Sequence, residues 1–165
     1  MTPGRRPLRF VELSDVLVDA EGLLSRGHHT VGRWSIAQIF NHLSSSIDQT
    51  LDGFPGKPAP WIVRQSVGRI IRTVLLSTGR IMEGAPLPAK YRPAAELDPQ
   101  AEFATLQAAI HRFGSSNCAC QPHPFLGIMP REKWRRFHCI HCAHHLSFAV
   151  PVESSSQASA STLAI

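Results

Sequence analysis

The sequence predicts an all-α domain, a helical bundle of four main helices plus one. Apolar residues recur at three- and four-residue spacing in several stretches, which is the spacing of one helix face. No stretch alternates strictly between apolar and polar residues as a half-buried strand does, and no internal repeat is visible. Glycine or proline separates most of the helical stretches, as expected where helices end and connections begin.

The first two helices are predicted on either side of a short loop. Ser14 is an N-cap residue type, so the first helix is expected to begin there and to end near Gly27. The segment "GHHTVGRW" that follows is predicted to be a loop. The second helix is expected to begin at Ser35 and to end at Gly53. Its apolar face consists of Ile36, Ile39, Phe40, Leu43 and Ile47.

A third helical period runs from Ile62 to about Met82. Gly68 and Gly79 interrupt it, and glycine is a poor helix former. The prolines that precede it make the connection from the second helix a non-helical turn. A proline-bearing stretch, residues 83–98, is predicted to cross to the fourth helix.

The last two helices are predicted in the C-terminal half. Asp98 and Pro99 are residue types that cap and open a helix, and this fourth helix is expected to end before Gly114. A long loop follows, and such a loop in a compact domain is more often functional than idle. The last helix is expected to begin after Pro130 and to end around Val150.

Residues 1–150 are expected to form a single domain, followed by a disordered tail of residues 151–165. A chain of 165 residues fits one domain, and 43% hydrophobic and 18% charged residues are typical of a globular protein. The tail is small, polar and low in complexity, which favours disorder.

The charge and the apolar runs argue against two classes of partner. A net charge of +5 and a pI near 9.5 would permit contact with nucleic acid. The lysines and arginines are scattered, however, apart from small groups such as residues 131–136, and no nucleic-acid-binding motif accompanies them. The most apolar stretch, Ile70 to Ile81, falls short of the roughly 18 to 20 residues that a membrane span requires. Neither nucleic acid nor a membrane is therefore favoured as a partner.

The N-terminal residues lack the apolar core of a secretory signal, so the expected compartment is the cytoplasm. The four cysteines are then expected to be reduced thiols. Cys118 and Cys120 are too close in the chain to bond easily to each other. Cys139 and Cys142 form a C-x-x-C pair on a continuous helix, which lacks the turn that redox and zinc-ribbon pairs use. A redox pair is therefore not favoured.

The segment "FHCIHCAHHL" on the last helix carries candidate metal ligands. His141 and His145 lie one helical turn apart, about 40° from each other around the axis. Neutral imidazole is a good ligand for zinc, nickel, copper or iron, and this spacing lets two ring nitrogens converge on one ion. A third ligand must come from elsewhere, and the second helix offers His42. A lone H-x-x-x-H pair also occurs on solvated helix faces, so spacing alone leaves both interpretations open.

The other histidines are assigned less specific places. His138 falls on the same inward arc as the two candidate ligands, and His144 falls at its margin. Each is a candidate for proton transfer, for orienting a ligand or for lining a pocket. The remaining four are expected away from the site: His28 and His29 in a surface loop, His111 on an exposed helix face, and His123 bracing a turn before a proline.

Three segments together resemble a known family. "VGRWSIAQIFNHLSSSIDQTLDGFP", "HPFLGIMPREKW" and "HCAHHL" are similar in order and separation to an uncharacterised branch of the DinB/YfiT-like superfamily of metalloenzymes. The resemblance spans residues 30–146 and implies an up-down four-helix bundle. It also implies that His42, His141 and His145 hold a divalent metal, with His144 in the middle of the motif and not a ligand. The segment "LSFAV" departs from the family pattern, where a glutamine often follows the leucine.

The resemblance implies a function as well as a fold. Members of the wider superfamily include thiol S-transferases that use low-molecular-weight thiols such as bacillithiol or mycothiol, and DNA-damage-inducible proteins. We therefore expect a divalent-metal-dependent thiol S-transferase or hydrolase acting on a small molecule, with zinc or nickel ahead of iron or manganese. A homodimer is a further expectation, because related bundles often dimerise through exposed helix faces. The alternative is a non-catalytic helical binding or stress-response protein of the same fold.

Overall fold

A computed structural model describes residues 4–81 and 91–152 and shows a mostly helical chain with one small two-stranded sheet. The elements in chain order are α1 (Leu13–Arg26), β1 (His28–Thr30), α2 (Ile36–Asp52), α3 (Trp61–Gln65), α4 (Val67–Thr78), α5 (Pro99–Ser115), α6 (Arg131–Leu146) and β2 (Ala149–Pro151). The predicted predominance of helix is confirmed. Residues 153–165 of the predicted tail, the predicted helix end at Met82 and the first half of the connection at residues 83–98 lie outside the described ranges.

Local capping chemistry sets the predicted starts of α2 and α5. The Ser35 hydroxyl accepts a hydrogen bond from the Gln38 backbone N–H at 3.2 Å, and the Gln38 side chain accepts one from the Ser35 N–H at 3.0 Å. The Asp98 carboxylate accepts a bond from the Ala101 N–H at 2.7 Å, with Pro99 as the first helical residue. Both predicted helix starts are confirmed, as is the end of α2 at Gly53.

The predicted cap of α1 at Ser14 is wrong. The helix begins at Leu13, with Glu12 at the cap position. The Asp15 carboxylate reaches back to accept hydrogen bonds from the backbone N–H groups of Val11 and Glu12. These two bonds satisfy donors at the helix start, so the chain becomes helical before Ser14 is reached. The end at Gly27 is confirmed.

The predicted loop after α1 contains a strand, and the last helix is shorter than predicted. β1 pairs antiparallel with β2, with His28 opposite Pro151 and Thr30 opposite Ala149. The α6 helix therefore ends at Leu146 rather than around Val150. Each strand has only three residues, which is too short for an alternating pattern to stand out in the sequence. Pro151, the first residue of the predicted tail, lies in β2, and the purely helical prediction is corrected by this small sheet.

The predicted third helix is two helices, α3 and α4, which meet at Ser66. Gly68, at the start of α4, packs so closely against the Phe125 carbonyl oxygen that any Cβ there would collide with it. Gly79 ends α4 in the left-handed conformation, at φ 66°. Of the helices in the described ranges, none is long and apolar enough to cross a membrane.

The core lies where α1 and α2 each contact both α5 and α6. Its largest fully buried apolar side chains include Val16, Leu23, Phe40, Leu43, Ile47, Leu106, Trp134 and Leu146. Burial of each such side chain stabilises the fold by about 1.5 to 3 kcal/mol relative to exposure. The contact between α2 and α6 positions the site, because His42 of α2 and His141 of α6 face each other across it.

Candidate metal centre

Three histidines from two helices meet at one point. His42 comes from α2, and His141 and His145 come from α6. One ring nitrogen from each lies within 4.8 Å of the others, and Nε2 of His42 is 3.2 Å from Nε2 of His141. The three ring centroids are between 4.6 and 5.1 Å apart. The structure therefore brings together all three histidines that the sequence indicated as ligands.

The spacing of these nitrogens fits a metal ion. Two imidazole ligands on a tetrahedral zinc ion, each about 2.0 to 2.1 Å from it, have nitrogens roughly 3.3 Å apart. The separation of 3.2 Å between His42 and His141 is close to that value. His145 completes a set of three nitrogen donors, which is the ligand number of a metal site that keeps one position open. The cluster can therefore hold a metal ion.

Neighbouring groups fix the orientation of each ring. The His42 ring forms a hydrogen bond with the backbone of Tyr91. The Ser46 hydroxyl lies 3.4 Å from Nδ1 of His141. Trp34 stacks on His145, with ring centroids 5.5 Å apart and an interplanar angle of 11°. Such outer contacts hold metal-binding imidazoles in the orientation and tautomer that ligation needs.

Burial keeps the three imidazoles neutral. It lowers the pKa of His42 to about 4, although the bond to Tyr91 works in the opposite direction. The pKa values of His141 and His145 are lowered well below the usual value, first by burial and then by repulsion between the neighbouring rings. A histidine binds a metal only in its neutral form. The site is therefore in its ligand form at neutral pH without any deprotonation step.

The three histidines open into a cleft of about 920 Å³. Volumes in this range are typical of small-molecule sites. The cleft has aromatic walls made by Trp34, Phe54, Tyr91, Phe125, Phe137 and Phe148. Polar groups project between these rings, among them Ser45, Ser46 and Gln49 of α2. A small organic molecule with an apolar body can therefore lie beside the histidine cluster.

His144 lies on the wall of this cleft. Its ring meets that of His145 edge to face, with centroids 5.0 Å apart, and also contacts Phe148. Its backbone carbonyl accepts a hydrogen bond from the Arg5 guanidinium at 3.0 Å. The ring thus stands beside a candidate ligand and faces the space where a substrate would lie.

His138, the other predicted neighbour of the ligands, lies in the core rather than on the cleft wall. The Thr50 hydroxyl donates to the Ser46 carbonyl at 3.2 Å, so it accepts from Nε2 of His138, 3.0 Å away. Nδ1 of His138 is buried without a partner among the described residues. Burial lowers the pKa of this imidazole to about 3. His138 therefore links α6 to α2 through a neutral hydrogen bond.

The cysteines and the outlying histidines take no part in the cluster. All four cysteines are free, and burial raises the pKa of Cys139 to about 11 and raises that of Cys142 further still. A buried thiol with a raised pKa is unreactive, which agrees with the absence of a predicted redox pair. His28 lies in β1, with Nδ1 3.0 Å from the Leu23 carbonyl oxygen, and His111 is exposed on α5 as predicted.

Several site residues were not predicted as such. Trp34 and Tyr91 act through ring stacking and a backbone hydrogen bond, and neither has a spacing signal of its own. His123 was predicted only to brace a turn, and it does so, yet it also forms part of the cleft wall. The motif segments that contain Trp34 and His123 were the available signal, although they assigned no role to either residue.

The comparisons with known proteins supply a family and no activity. A family model described as "Protein of unknown function (DUF1569)" matches residues 3–152. No curated protein and no solved structure matches the chain at a significant level. The matched residues run from the N-terminal segment to the end of β2, so they include all three histidines of the cluster.

Proposed function

The chain belongs to the DUF1569 family, and from its site we propose that it is a divalent-metal-dependent enzyme acting on a small molecule in the cleft. One observation carries the proposal: the neutral imidazoles of His42, His141 and His145 converge at the cleft wall. A structural metal site is closed by four protein ligands, whereas a catalytic site leaves a position for water or substrate. Three histidines beside an open cleft fit the second kind.

A divalent ion bound there would supply Lewis acidity and lower the pKa of a bound water or thiol. The three histidines would hold the ion, and the rings of Trp34 and Phe137 pack against His145 and His141 and orient them. His144 stands beside His145 on the cleft wall and is the residue that we propose to hold or pass on a proton. His138 is buried against Thr50 and would act by keeping α6 in place.

We propose thiol S-transfer or hydrolysis as the reaction. No cysteine is among the described residues that line the cleft, so a protein thiol there does not supply the nucleophile. A thiol or water activated at the metal would supply it instead. The resemblance to the DinB/YfiT-like superfamily favours a low-molecular-weight thiol as co-substrate. The alternative is a non-catalytic binding or stress-response protein of the same fold, which would bind a ligand in this cleft without converting it.

The identity of the metal is also a proposal. Three imidazole nitrogens suit zinc or nickel better than manganese, which prefers oxygen ligands, and iron is an intermediate choice. The pairing of α1 and α2 with α5 and α6 supports the proposed up-down four-helix bundle of the DinB/YfiT kind. The four free cysteines support the proposed cytoplasmic location.

We also propose that the protein forms a homodimer through α3 and α4. Trp61 and Ile62 of α3 and Ile70 of α4 are each at least 64% exposed, which is unusual for large apolar side chains on neighbouring helices. Light scattering of the purified protein would test this, with Ile70→Lys expected to shift the mass toward the monomer. A monomer at all working concentrations would contradict it.

The experiment that tests the enzymatic proposal is a paired assay of zinc-loaded and nickel-loaded protein. One arm follows the loss of a low-molecular-weight thiol in the presence of an alkylating electrophile, and the other follows hydrolysis of ester and amide substrates. Turnover that disappears in His141→Ala and persists in the exposed variant His111→Ala is expected. Equal rates in both variants would show that the activity does not arise at the cluster.

A further inference from the structure

His123 has a defined tautomer because of the turn that it begins. Its Nδ1 accepts hydrogen bonds from the backbone N–H groups of Phe125 at 3.1 Å and Leu126 at 3.0 Å. The turn closes with a pair of backbone hydrogen bonds between His123 and Gly127. A ring nitrogen that accepts two hydrogen bonds carries no proton, so the proton of the neutral ring is on Nε2. Burial lowers the pKa of this imidazole to about 4, so the neutral form prevails at neutral pH.

The Nε2–H group has no acceptor within the part of the chain that the structure describes. The His123 ring is enclosed on its sides by Phe54, Trp134 and Phe137, with centroid distances between 5.4 and 5.8 Å. Nδ1 of His138 is buried without a partner, whereas Nε2 of His123 is not buried in this way. His123 forms part of the cleft wall. The cleft therefore contains a fixed hydrogen-bond donor that no described residue uses.

The charged residues that line the cleft within the described ranges are of one sign. The described residues that line it include Arg33, Lys57 and Arg92 but neither aspartate nor glutamate. Lys57 is near the His123 end, because the Ala59 N–H donates to the carbonyl of Pro124 at 2.8 Å and so joins the two segments. A cleft lined by cations and low-dielectric aromatic walls attracts anions.

We propose that the His123 end of the cleft binds an anionic oxygen group of the substrate, a carboxylate or a phosphate. One oxygen of that group accepts the Nε2–H of His123, and Lys57 supplies the opposite charge. The inference deepens the proposed function and rests on it for the placement of the reacting end at the histidine cluster. Phe137 contacts both His123 and His141, with centroids 5.7 and 5.5 Å away, so a small molecule along this ring reaches both.

Two substitutions at one position separate the donor role of His123 from its turn role. In His123→Asn, the amide oxygen occupies the place of Nδ1 and can accept the two backbone bonds, but nothing replaces Nε2–H. In His123→Gln, the amide nitrogen occupies the place of Nε2 and can donate, whereas the acceptor at Nδ1 is lost. Lys57→Met, at an exposed position, removes the charge without disturbing the turn.

The probes are benzoate and phenyl phosphate, with benzamide as the uncharged control. Binding is measured by calorimetry on the full-length protein, both with added zinc and after treatment with chelator. Both anions are expected to bind better than benzamide, and the preferred anion identifies the group. His123→Asn is expected to weaken anion binding by roughly ten- to a hundredfold, since a hydrogen bond to a charged acceptor is lost. His123→Gln is expected to lose thermal stability while the folded fraction still binds.

Three results would overturn the proposal. They are binding of benzamide equal to that of benzoate, unchanged anion binding in both His123→Asn and Lys57→Met, or a proton on Nδ1 of His123 in nitrogen NMR spectra. The measurement on chelator-treated protein tests anion binding separately from metal binding. Anion binding in this pattern without metal uptake would therefore refute the proposed metal-dependent enzyme alone. Metal uptake without anion binding would refute only the anion subsite.

Discussion

Acid should unfold this protein because several of its histidines are buried and neutral. Burial lowers the pKa of His42 and His123 to about 4 and that of His138 to about 3. A histidine in the unfolded chain has a pKa near 6.5. The unfolded chain therefore binds more protons at acid pH. Stability is retained above about pH 7 and decreases as the pH falls from about 6.5 toward about 4.

The size of this effect follows from the depth of burial. Each such histidine lowers the free energy of unfolding by about 1.4 kcal/mol for each pH unit within the window. Between about pH 6.5 and about pH 5, three of them together remove roughly 5 kcal/mol. Domains of this size have a total stability of about 5 to 15 kcal/mol. We therefore expect unfolding to begin near about pH 5, about one unit above the usual pKa values of carboxylates.

The assay is urea denaturation in the presence of a chelator, repeated between about pH 7.5 and about pH 5. In His138→Gln the side-chain amide can still donate to Thr50, but it cannot titrate, so the slope of stability against pH should fall by about 1.4 kcal/mol per unit. The exposed His111→Gln is the matched control and should keep the wild-type slope. A free energy of unfolding that does not change over this pH range, or an equal slope in His138→Gln, would refute the reasoning.

Three further substitutions test the packing and the site. Gly68→Ala should destabilise the protein by about 1 to 3 kcal/mol in thermal denaturation, because the added Cβ collides with the Phe125 carbonyl oxygen. Gly114→Ala in α5 should not destabilise it, because the added Cβ meets open space. Ser35→Ala should lower the free energy of unfolding by about 1 kcal/mol through loss of the α2 cap, while Ser14→Ala should have little effect; equal losses would contradict the assigned caps. Trp34→Leu should weaken zinc affinity by roughly tenfold in a chelator competition because the stacking that orients His145 is lost, and the exposed Trp61→Leu should leave it unchanged.

The helices were predictable where their ends depend on neighbouring residues. Ser35 and Gln38 cap each other across one turn, and Asp98 caps α5 in the same local way, so both starts could be inferred from the sequence. The two strands were not predictable, because each has three residues and its partner lies more than a hundred positions away in the chain. The break between α3 and α4 at Ser66 was not predicted either, and the close contact of the neighbouring Gly68 with Phe125, in a distant loop, has no local sequence signal.

In the candidate site, too, features set by neighbouring residues were predictable and features set by distant residues were not. The spacing of His141 and His145 on one helix indicated a pair of candidate ligands, and the second helix offered His42 as a third, a set that the family resemblance also implied. The hydrogen-bond donor on His123 could not be predicted, because the tautomer of the ring follows from backbone hydrogen bonds that exist only once the turn has formed. The core position of His138 depends on Thr50 of another helix. The sequence therefore indicates which three histidines cluster but not what surrounds them.

The metal content of the protein tests the central claim most directly. Elemental analysis of gently purified protein, and of chelator-treated protein reloaded with zinc or nickel, should find about one ion per chain, as expected for one site of three imidazoles. His141→Ala should lose it, while His111→Ala, an exposed histidine outside the cluster, should retain it. Equal metal content in His141→Ala and the wild-type protein would contradict a metal centre formed by His42, His141 and His145.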